Sequence, residues 1–138
     1  MADPIGTASG LLALAVFAFQ ASTQLYTLIA SFQNNQRVVR ELREELEALL
    51  VVLQSLQETA DSTDTGLSTL KLPLLRCGKA CKDFETVIFK CMAHSSGPRT
   101  SFRDWAKLKY MGNDIVGFKN MLAGYKSTIS IALGDANL

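Results

Sequence analysis

Apolar residues recur at alternating steps of three and four along four stretches of this chain, and polar clusters interrupt the pattern between them. The clearest stretch runs from about residue 36 to about residue 60. Its apolar positions are Val39, Leu42, Leu46, Leu49, Leu53, Leu56 and Ala60, a heptad seam held over three heptads. The third stretch, about 69–94, places Leu70, Leu74, Cys77, Cys81, Phe84, Ile88 and Cys91 on one line. The fourth, about 101–136, runs through Leu108, Met111, Ile115, Phe118, Leu122, Tyr125, Ile129, Ala132 and Ala136. The breaks between them are Asn34-Asn35, the run DSTDTG over 61–66 and the run SSGPR over 95–99, all of turn-forming composition.

The first stretch, about 4–33, differs in kind. Asp3-Pro4 is a helix start, with a capping carboxylate followed by a proline that the first turn tolerates. From Pro4 to Gln36 there is no charged residue, and Leu11–Phe19 is uninterrupted apolar sequence. Leu11, Leu14, Ala18, Leu25, Leu28 and Phe32 fall mostly on one face, while Leu12, Val16, Phe17 and Phe19 cover others. A helix apolar on most sides is buried on several sides or enters a membrane. A span needs about 20 mostly apolar residues. This segment reaches that length only by including Gln20, Ser22, Thr23, Gln24 and Thr27, which favours a bundle helix at rest over a permanent span.

Four long seams, short connections and no period-two alternation predict an all-α, up-down-up-down four-helix bundle with long helices, one domain over residues 1–138. In helix 3, Pro73 falls in or just past the first turn, where its missing N–H costs little. Ser101-Phe-Arg-Asp104 resembles a capping box for helix 4. Gly112, Gly117, Gly124 and Gly134 weaken that helix or allow close approach and bending. The chain stops at Leu138 with no capping glycine, so we expect it to be the N-terminal part of a longer protein.

Charge refines this picture. Lys+Arg number 14 against 13 Asp+Glu, but residues 1–66 carry a net −5 and residues 67–138 a net +6. Two readings follow: an acidic helix packed beside basic ones, or a basic face for anionic lipid or an acidic partner. On helix 2, Arg40–Glu44 and Arg43–Glu47 sit four apart with opposite sign. The lysines are spread out and no aromatic-basic motif accompanies them, which argues against nucleic acid. An odd cysteine count of 3, with no basic secretory n-region, points to free thiols in the cytoplasm.

The side chains that could carry chemistry do not assemble into a site. Cys77, Cys81, Cys91 and His94 suggest zinc, but Cys81 and Cys91 are about 15 Å apart along one helix, too far for one ion. Core thiols are the simpler reading. His94, alone at a helix end, has no nucleophile or acid in obvious register. Asp104 and Asp114 read as surface charges. Trp105, beside Phe102, reads as a core plug or an interfacial anchor. No phosphate loop, nucleophile elbow or HExxH is present in the sequence. The sequence therefore predicts no enzyme, no metal and no cofactor.

Three segments carry a resemblance: CGKACKDFE (Cys77–Glu85), SFRDWAKLKYMGNDIVGFKNMLAGYKSTISIAL (Ser101–Leu133) and the closing GDANL. With the opening MADPIGTASGLLALA, they resemble the fungal N-terminal domain of STAND (NLR-like) proteins, a family also labelled after protein L of an azaphilone pigment cluster. The resemblance spans essentially the whole chain and is weakest in helix 2. It implies a bundle of the HeLo-like group. Relatives of that group act in programmed cell death (heterokaryon incompatibility or innate immunity): downstream domains of the same chain release the bundle, which oligomerises and permeabilises membranes through its N-terminal segment.

The expected function is a non-enzymatic signalling module whose opening helix is sheltered at rest and exposed to lipid on activation. Leu11, Leu12, Leu14, Val16, Phe17 and Phe19 are the candidate inserting residues. Arg76, Lys79, Lys82, Lys107 and Lys109 are the candidate contacts to anionic headgroups. Self-association is expected in the active state, in the cytoplasm and then at a membrane. The competing expectation is a soluble oligomerisation or docking module, with Leu49, Leu50, Val52 and Leu53 on helix 2 as the seam for a second copy or a partner helix.

Overall fold

Each heptad seam becomes the buried stripe of one helix. The computed structural model describes residues 8–31, 37–62, 67–93 and 109–136. They form α1 (Ala8–Ala30), α2 (Arg37–Ser62), α3 (Lys71–Ala93) and α4 (Lys109–Ala136), with a 3₁₀ turn at Ser68–Leu70 ahead of α3. Among the described residues there is no strand. The expected helix starts at Pro4 and Ser101 and the turns at 34–35 and 95–99 lie outside the described residues; of the loop expected over 61–66, Asp61 and Ser62 instead extend α2, and 63–66 lie outside the described residues.

The core holds Val39, Leu42, Leu46, Leu49, Leu53 and Leu56 from α2, and Leu74, Cys77, Cys81, Phe84 and Ile88 from α3. From α4 it takes Ile115, Phe118, Leu122, Ile129 and Leu133. The α1 contribution is made largely of small residues: Ala15, Ala18, Ala21 and Ser22 are buried alongside Leu11, Leu14, Leu25 and Ile29. Each buried Leu or Ile contributes about 1.5–3 kcal/mol relative to exposure.

Successive helices run antiparallel, giving the up-down-up-down order. The arrangement around the bundle follows from which residues meet. Phe17, Ser22 and Gln24 of α1 face Gly78, Cys81 and Lys82 of α3 in the same order, so α1 and α3 are parallel neighbours. Likewise Glu41 and Glu45 of α2 meet Lys119 and Lys126 of α4. Going round the bundle, the order is therefore α1, α2, α4, α3. The α1–α3, α1–α2 and α2–α4 edges are closely packed, and the α3–α4 edge is sparse.

This order obliges the link from α2 to α3 to cross the bundle diagonally. The described part of that link is packed into the bundle. Leu67 and Leu70, on either side of the 3₁₀ turn, are buried, and the turn touches α1, α3 and α4. The turn thus closes one end of the bundle. Pro73 follows as the third residue of α3, where its missing N–H has no intrahelical acceptor to lose.

Candidate functional site

The α1 helix and the faces that cover it form the candidate site. Gly10–Ala30 is a 21-residue segment with mean hydropathy 1.5, long and apolar enough to cross a membrane. A buried helix of a soluble bundle passes the same test, so its surroundings matter more than its composition.

Leu11 and Leu14 are buried, Leu14 with 7% exposure, while Leu12, Val16, Phe17 and Phe19 are half-buried. Ala13, Gln20, Gln24 and Thr27 form a narrow exposed stripe. The apolar run is thus covered on the α2 and α3 sides and open along one line, instead of being enclosed all round.

The cover from α3 depends on one missing side chain. A Cβ placed on Gly78 would lie 2.3 Å from Cε2 of Phe17 and 2.6 Å from Cδ2. Only glycine lets the Phe17 ring lie against the α3 backbone. One turn further, Ser22 Oγ and Cys81 Sγ are 3.6 Å apart in a buried contact. Burial and hydrogen bonding to Cys81 push the Cys77 thiol well above its ordinary range, with the hydrogen bond the larger cause. Cys77 is therefore a neutral core thiol. Among the described residues no three His, Cys, Asp or Glu side chains gather as a metal would require.

The cover from α2 is polar at its edge. Tyr26 donates a hydrogen bond to Glu47 Oε1 at 2.6 Å, tying α1 to α2. The rest of the acidic face of α2 is directed at α4. Lys119 Nζ is 3.2 Å from Glu41 Oε1, and Lys126 Nζ is 2.7 Å from Glu45 Oε2. The packing of an acidic helix beside a basic one is thus observed on this edge. Glu45 Oε2 is enclosed without an aligned hydrogen bond, and the Lys126 ammonium is the charge that compensates it. Lys119 first, then Arg37, hydrogen-bonds Glu41 and holds its carboxyl below the ordinary value. The expected four-apart pairs Arg40–Glu44 and Arg43–Glu47 do not close; Arg37–Glu41, at 3.1 Å, does.

Of the candidate headgroup contacts, Arg76, Lys79 and Lys82 are exposed on α3. Lys82 Nζ lies 3.4 Å from Gln24 Oε1, so this basic face borders the open stripe of α1. Lys107 lies outside the described residues, and Lys109 is the first residue of α4.

The seam offered for a second copy needs correction. Leu49 and Leu53 are fully buried in the chain's own core, because the heptad seam of α2 is consumed by α1 and α4. Leu50 and Val52 are half-buried, and the residue that does face out is Val51, at 68% exposure. Sequence reasoning left Val51 out of that seam. It named the large residues of α1 as the site but not the small buried ones, Ala15, Ala21 and Ser22, of which Ser22 lies against α3.

A four-helix antiparallel bundle with a charge-free first helix is the class of protein that this geometry defines. Residues 2–138 match the family described as pigment biosynthesis cluster protein PigL N-terminal, and the chain belongs to that family. No curated protein and no solved structure gave a match.

Proposed function

We propose that this domain is a non-enzymatic, membrane-targeting signalling module of the HeLo-like kind, at the head of a fungal STAND receptor, with α1 as the inserting element. The observation that carries the reading is the 21-residue uncharged span of α1, held against α3 by small residues and lying beside an exposed basic face. Released from the bundle, α1 would bring no charge into the bilayer. Thr23 already donates to the Phe19 carbonyl at 2.8 Å, so one of its polar groups is satisfied within the helix. Arg76, Lys79 and Lys82 would meet anionic headgroups, each worth about 1 kcal/mol near the surface. Oligomerisation on the membrane would follow release and lead to permeabilisation and cell death.

The test is dye leakage from anionic phosphatidylserine vesicles. Ala13 is exposed, so Ala13→Glu leaves the folded bundle intact yet puts a carboxylate inside the apolar run, three residues into the span. Such a charge costs up to about 2.5–3.5 kcal/mol at a bilayer centre and less toward the interface. We expect the wild type to leak dye and Ala13→Glu to leak at least about tenfold less at an unchanged melting temperature. Equal leakage by the two proteins rejects insertion of α1, and leakage by neither leaves a soluble docking module.

A further inference from the structure

The sparse edge between α3 and α4 holds a groove of about 550 Å³ that the membrane reading does not use. Its floor is the Phe84–Phe118 pair, stacked with ring centroids 4.2 Å apart and planes 1° from parallel. Val87 and Met121 form its walls and remain 38% and 42% exposed. Gly117 leaves a notch beside the stack: a Cβ there would meet nothing within 4 Å. Asp83 on α3 and Asp114 on α4 stand at the rim from opposite sides. Both are exposed, and neither forms an ion pair among the described residues, although Lys79 is one turn before Asp83.

We propose that this groove is a docking site for a cationic amphipathic helix of a partner protein. An open trough between two antiparallel helices accepts the apolar face of a third. The stacked rings give a flat apolar floor, and the Gly117 notch takes one protruding side chain. The two rim carboxylates select for lysine or arginine flanking the apolar face, and disfavour an acidic helix by leaving like charges together. The proposal does not depend on insertion of α1, and its test contains no lipid.

The probe is a designed peptide of about five helical turns with a leucine face and a lysine face, compared with its glutamate counterpart. Fluorescence anisotropy should give a dissociation constant on the order of 10 μM for the lysine peptide and binding at least about tenfold weaker for the glutamate peptide. Asp83→Asn with Asp114→Asn should remove most of that discrimination. Gly117→Gln fills the notch, and because it replaces a helical glycine it should fold at least as stably as the wild type. It should nevertheless lose the lysine peptide. Equal binding of both peptides, or unchanged binding by Gly117→Gln, overturns the proposal. So does light scattering that finds a wild-type dimer dissolved by Gly117→Gln, which would make a second copy the occupant.

Discussion

At the scale of single residues, the meeting of Gly78 and Phe17 decides how tightly α1 is held. An ordinary side chain at 78 cannot coexist with the ring, since even a Cβ would come within 2.3 Å of it. Gly78→Leu should therefore destabilise the bundle by about 1–3 kcal/mol, the usual cost of overpacking, despite the gain in helix propensity. Adding Phe17→Ala should recover much of that loss, since the two residues share one space. Thermal or urea unfolding of the four proteins of the cycle measures the coupling; additive effects would mean that the ring simply swings outward. Neither partner announces this contact in the sequence. Gly78 looks like a helix-weakening residue beside a seam cysteine, and Phe17 looks like one more apolar residue in a run. Likewise Ala15, Ala21 and Ser22 are buried because a neighbour comes close to them, which periodicity does not encode.

At the scale of the helix, the α2–α4 edge is held by its seams and by two ion pairs. Lys126→Met should leave the enclosed Glu45 carboxylate uncompensated and cost about 1–3 kcal/mol in chemical denaturation. Lys119→Met, whose partner Glu41 is more open and retains Arg37, should cost less. Glu41 also sets a pH dependence. Its carboxyl is held below the ordinary value of 4.5, so its ionised form is favoured by folding. The stabilisation is present above that ordinary value and is lost as pH falls through the depressed one. Glu41→Gln should lower stability near neutrality and flatten the profile in this acid range, so that the two proteins converge as pH falls, and salt should weaken the effect. The seams themselves were readable, and every described side chain of the α3 seam is buried. Where the reading slipped, helical geometry is the reason. A strict 3.5-residue seam drifts by about 20° per heptad on a helix of 3.6 residues per turn. Toward the end of α4 Leu133 is therefore buried while Ala132 is only half-covered, and in α1 Ile29 is buried where Leu28 was expected.

At the scale of the molecule, the order α1, α2, α4, α3 lay beyond sequence reasoning, because a seam tells which face is buried but not against which helix. That order matters for function. It puts α1 between α3 and α2 and makes the α3 thiols a built-in reporter of its departure. Cys77 and Cys81 are fully buried, and Ser22 of α1 lies against Cys81. If α1 leaves the bundle at a membrane, both sulfurs lose their cover, and the hydrogen-bonded, low-dielectric setting that keeps Cys77 protonated disappears with it. In a Cys91→Ser background, we expect the two thiols to resist an aromatic disulfide reagent in solution. They should react at least about tenfold faster once anionic vesicles are added, which corresponds to about 1.4 kcal/mol in opening free energy. The Ala13→Glu protein, folded but unable to insert, should stay protected with vesicles present. Thiols that remain protected while the wild type is vesicle-bound would mean that the bundle docks intact through its basic face and α1 stays in place.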